Sequence, residues 1–105
     1  MGTFTGRAAR LSVGNDGEEP LELTVEPWAE VDRVPPKETR VVVTHSSAAD
    51  GSWSGTAHKD EPFHVDHRPG LVAVWANGDC FHLLDAQGNE THAYDHHCPA
   101  RRPAG

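Results

Sequence analysis

Lysine is nearly missing from this chain of 105 residues, occurring only as Lys37 and Lys59. Methionine and tyrosine appear once each, and cysteine twice, as Cys80 and Cys98. No stretch approaches the roughly 18 apolar residues of a membrane-spanning helix, and mean hydropathy is low at -0.60. Met1 to Gly14 holds Arg7 and Arg10 but no apolar block, so no secretory signal is expected there. A cytoplasmic setting with reduced cysteines is therefore the expectation. No segment keeps a 3.6-residue period and no repeat is visible, which removes helical bundles and repeat arrays.

Chemical signatures are missing as well. Ser46, Ser47 and Ser52 have no glycine-flanked nucleophile elbow around them, and no glycine-rich loop is set to cradle a phosphate. The C-x2-C pair of structural zinc modules does not occur. Glu22 and Glu26 share one face of a strand, but as an acidic, solvated pair rather than an acid–base couple. No catalytic set is assembled, and a non-enzymatic protein is expected.

Charge narrows the choice of partners. All 16 acidic residues lie between positions 15 and 95, whereas Arg7, Arg10, Arg101 and Arg102 sit towards the ends. An acidic body repels phosphate backbones, so nucleic acid is not an expected partner. A membrane is not expected either; another protein or a small ligand is. One domain over residues 1–105 is expected, with flexible ends at about 1–7 and 96–105.

What is present is β-pattern. Leu21, Leu23 and Val25 alternate with Glu22, Thr24 and Glu26, the period of a half-buried strand, and Pro27 ends it. Trp28 is placed over the end of the core, and Trp28–Val34 reads as a weak strand or extended connection. Pro35-Pro36 sets a tight turn; with Lys37 rather than glycine next, type I is expected. Glu38–His45 and Leu71–Ala76 are apolar on both faces and read as internal strands. Pro62–His67 is a strand with Phe63 and Val65 inward, and Ala8–Val13 could add an edge. Asn77-Gly78-Asp79 is a hairpin signal. Asp85 and Asn89 close a three-residue loop between the last two strands, Cys80–Leu84 and Glu90–Tyr94, with Gly88 left-handed. The sum is all-β: a single antiparallel β-sandwich or small barrel of six to seven strands.

Eight histidines are the outstanding chemical feature. If the last hairpin is regular beyond its loop, His82 stands across from His92 and Cys80 across from Tyr94. Opposed side chains lie about 4.5–5.5 Å apart at Cβ, close enough for His82 and His92 to share a zinc or copper ion, with Cys80 as third ligand. A slip of one residue would send the two histidines to opposite faces. His96-His97-Cys98-Pro99 reads as incidental tail chemistry. The alternative contact surface is the acidic face of Glu22 and Glu26 together with Trp53 in the long Ser46–Glu61 loop.

Leu21–Trp28 (Leu-x-Leu-x-Val-Glu-Pro-Trp), Val34-Pro35-Pro36, Val74-Trp75-Ala76 and Asp85-x-x-Gly88 resemble a group of small all-β proteins of actinobacteria. Lys37 stands where such families usually have glycine. The resemblance implies a fold and an organism group and carries no catalytic residue. The leading expectation is a small β-sandwich binding or accessory module; the competing one is a metal-binding protein.

Overall fold

The structure is a computed structural model and describes residues 7–47, 53, 61–94, 98 and 99. Eight strands follow in order: β1 (Arg7–Gly14), β2 (Leu21–Glu26), β3 (Glu30–Val34), β4 (Thr39–Ser46), β5 (Phe63–Arg68), β6 (Leu71–Ala76), β7 (Phe81–Leu84) and β8 (Glu90–Tyr94). They form two four-stranded sheets, ordered β1-β4-β7-β8 and β3-β2-β6-β5. The all-β expectation holds, and of its two architectures the open sandwich is the one observed. The count exceeds the expected six to seven because the weakly patterned segments at β1 and β3 both find strong neighbours, β4 and β2.

The strands with apolar residues on both faces are internal, as their patterns require: β4 lies between β1 and β7, and β6 between β2 and β5. Pairing is antiparallel except for β2 with β6, which run parallel. Val13, Leu23, Val25, Val34, Val42, Val72, Val74, Ala76, Phe81 and Leu83 make the core between the sheets. Trp28 caps it, its ring 5.0 Å from that of Phe81 and 5.7 Å from that of Tyr94. Arg40 on β4 reaches Asp32 on β3 at 2.9 Å, an ion pair joining the two sheets.

Four local expectations are corrected. Asn77-Gly78-Asp79 does not close a hairpin: β6 and β7 belong to different sheets, and these residues carry the chain across the sandwich. They are anchored at both ends, Asn77 N donating to Pro62 O (2.8 Å) and Asp79 N to His45 O (2.7 Å). Lys37 has φ +67°, the left-handed third position of a type II turn rather than type I. Its backbone N–H donates to Asn15 O at 2.7 Å and its Nζ to Asp16 O, contacts that offset the strain of a non-glycine residue there. Val65 lies level with buried Val74 but is 44% exposed, because β5 is an edge strand and alternation alone does not say how far the opposing sheet reaches.

The fourth correction concerns the last hairpin. Its loop is as expected: Asp85 N donates to Asn89 O, Gly88 N donates to Asp85 O, and Gly88 has φ +87°. Leu84 pairs with Glu90 as a regular hairpin predicts, but Leu83 then pairs with His92 and His82 with Ala93. Thr91 is left over as a β-bulge, which shifts the register beyond it by one residue. His82 and His92 therefore do not face each other, and Cys80 is not opposite Tyr94, whose partner is Phe81.

Candidate metal centre

On β4, Val42, Thr44 and Ser46 are buried, and Val42 belongs to the inter-sheet core. Alternation then turns Val41, Val43 and His45 to the other face of the sheet. On β7 the core residues are Phe81 and Leu83, which turns His82 to that same outer face, and Val43 pairs directly with His82. Continued two residues further along both strands, this pairing brings His45 level with Cys80.

The connection before β7 is clamped to β4 and holds Cys80 in place. Thr44 Oγ1 donates to Cys80 O at 2.6 Å. The Asp79 carboxylate accepts from Ser47 N at 3.1 Å and from Ser47 Oγ at 2.9 Å. Gly78 passes so close to β4 that a Cβ there would collide with Thr44 Oγ1 and the His45 carbonyl. Gly78→Ala is accordingly expected to cost about 1–3 kcal/mol, the usual range for overpacking, and to weaken the site by displacing Cys80. Urea denaturation reads the first effect and metal titration the second; unchanged values in both would show that the connection yields freely.

Cys98, which follows β8, completes the group. Ligand atoms of His45, Cys80, His82 and Cys98 all lie within 4.8 Å of one another. His45 Nδ1 is 3.3 Å from Cys80 Sγ and 3.5 Å from Cys98 Sγ, and His82 Nε2 is 3.4 Å from Cys98 Sγ. Zinc–sulfur bonds of about 2.3 Å and zinc–nitrogen bonds of about 2.0–2.1 Å at tetrahedral angles separate neighbouring S and N atoms by about 3.6 Å. The three distances match the edges of such a tetrahedron, so these four residues could hold a metal ion. Three of the four are buried, with exposure 0% for Cys80, 3% for His82 and 2% for Cys98, while His45 is half-buried. Burial first, then hydrogen bonding and charge from Cys98, push the Cys80 thiol up to about 12. Beyond the four, Glu90 Oε1 lies 2.9 Å from His82 Nδ1.

Two of the three residues expected to bind metal, Cys80 and His82, are in this group. His92 is not: the bulge places it beside Leu83, and its Nδ1 lies 3.3 Å from Thr91 Oγ1. His45 and Cys98 were missed. Nothing in the sequence pairs β4 with β7, and Cys98 falls in a stretch read as a loose tail. The usable signal was Cys80-x-His82, two ligand types on one strand face. His58, His96 and His97 lie outside the described residues, as does most of the Ser46–Glu61 loop.

The expected contact residues are not gathered into a site. Trp53 is buried at 4% exposure, with the Arg7 guanidinium 5.9 Å from its ring centroid. Glu22 is exposed on β2, and Glu26 accepts a hydrogen bond from Ala29 N at 3.1 Å. Among the described residues, no helix is long and apolar enough to cross a membrane. Comparison with protein-family models, with curated proteins and with solved structures finds no match.

Proposed function

We propose that this protein is a metal-binding β-sandwich whose ion, zinc, is structural. The carrying observation is the convergence of two thiols and two imidazoles within 4.8 Å of one another, with three of the sulfur–nitrogen distances at 3.3, 3.4 and 3.5 Å. All four positions of a tetrahedron are taken by protein groups, the arrangement of structural rather than catalytic zinc, which keeps one position open. Blue copper fits less well, since a second sulfur stands here in place of a weak axial methionine or carbonyl.

The ion's work is to tie separate parts of the chain together. His45 comes from β4, Cys80 from the connection just before β7, His82 from β7 itself and Cys98 from beyond β8. The hydrophobic core does not include the cluster, so the ion fastens the outer face of one sheet. This reading is favoured over a binding module built on Trp53, Glu22 and Glu26 because its groups are assembled and theirs are not.

Metal analysis of untagged protein purified without chelator, followed by cobalt substitution, tests the proposal. One zinc per chain is expected, and the cobalt form should show the intense visible bands of a tetrahedral site with thiolate charge transfer. Both should be lost in Cys80→Ser and in Cys98→Ser. An empty protein that takes up no cobalt, or cobalt bands unchanged in both variants, sinks the proposal. Recovery of iron in place of zinc would keep the site and change the ion, because tetrahedral sulfur–nitrogen sets also suit iron.

A further inference from the structure

We infer that Glu90 is a positioning residue for this site, one that orients His82 and strengthens its bond to the ion. The inference rests on the metal reading above. His82 has two ring nitrogens and two different neighbours: Nε2 is 3.4 Å from Cys98 Sγ, inside the ligand group, and Nδ1 is 2.9 Å from Glu90 Oε1. An ionised carboxylate only accepts hydrogen bonds, so Nδ1 carries the hydrogen and Nε2 presents its lone pair to the ion. A carboxylate on the far nitrogen fixes the tautomer and ring angle of the ligand. The His82 side chain is 4% exposed and that of Glu90 33%, so the pair links the buried ligand group to the surface.

The hairpin geometry accounts for why this residue can do it. Leu84 pairs with Glu90, so Glu90 is on the same face as His82 and diagonal to it, within reach of a long side chain. The bulge at Thr91 then brings Ala93 rather than His92 across from His82. A small side chain there leaves space above the imidazole, where a second ring would crowd the approach of Cys98. One extra residue thus keeps the carboxylate beside His82 and removes the competing histidine.

The test compares wild type, Glu90→Gln and Glu90→Ala by zinc competition against a chromophoric chelator. It is paired with 15N NMR of the His82 ring in the metal-free proteins at pH 8. Affinity is expected to fall 10–100-fold in Glu90→Ala, the usual effect of losing such a partner, and by less in Glu90→Gln, which keeps an acceptor but no charge. The ring should hold its hydrogen on Nδ1 in wild type and become a mixture of tautomers in Glu90→Ala. A merely structural role would leave the tautomer unchanged. Variants that bind zinc within twofold of wild type, with the same tautomer, overturn the inference and leave the metal site standing. Wild type that binds no zinc overturns the metal reading itself.

Discussion

With zinc bound at the proposed site, stripping it with a chelator should lower the melting temperature by about 15 °C or more. A ligand that binds only the folded chain stabilises it by about 4.1 kcal/mol when its free concentration is 1,000 times the dissociation constant. Structural zinc in small domains binds tightly enough to reach that ratio at micromolar free metal. For a chain near 100 residues each kcal/mol moves the midpoint by about 4–8 °C, which gives the expected range. The core of ten buried residues between the sheets stands apart from the cluster, so the metal-free protein should remain folded with a lower midpoint. Calorimetry with and without a chelator measures the difference, and Cys98→Ser should match the chelated wild type in both conditions. A shift under about 2 °C would mean that the ion is not a structural tie.

Acid should release the metal steeply. Without metal, the Cys80 thiol is pushed up to about 12, by burial first and then by hydrogen bonding and charge from Cys98. It is therefore protonated at neutral pH, whereas a metal ligand must be the thiolate. Binding displaces that proton, and affinity falls tenfold for every pH unit lowered on account of Cys80 alone. Zinc should bind at least about 100-fold more weakly at pH 6 than at pH 8. Calorimetry in buffers of different ionisation enthalpy should find at least one proton released per zinc at pH 7.5. Affinity independent of pH over this range would show that Cys80 is not a ligand.

The same group sets an alkaline limit on the metal-free fold. Its pKa is raised in the folded chain from an ordinary value of 9.0, so the folded state keeps a proton that the unfolded chain loses first. The associated stability is fully present below pH 9 and declines as pH rises towards 12, by up to about 1.4 kcal/mol per unit. Cys80→Ser should flatten that decline in urea denaturation.

The β architecture is legible in residue order alone, because alternation and turn residues act over a few positions. Leu21 to Glu26 names its buried side without help, and Asp85 to Asn89 closes its loop through its own backbone. The doubly apolar Val41–Val43 and Leu71–Ala76 segments identified the internal strands because only a strand covered on both faces tolerates that composition. Cys80-x-His82 was legible as two ligands on one face for the same local reason. The site, by contrast, depends on long-range strand pairing that no local pattern encodes. Whether β7 pairs with β6 or with β4 depends on which sheet the Asn77-Gly78-Asp79 connection enters, and both outcomes suit the same turn residues. Pairing with β4 brought His45 to Cys80, and the chain beyond β8 brought Cys98 across more than a dozen positions from its partners. The bulge at Thr91 settled the last question. A single unpaired residue reverses the face of everything after it, and no local preference at Thr91 announces it. It exchanged His92 for Ala93 opposite His82 and left Glu90 as that histidine's partner.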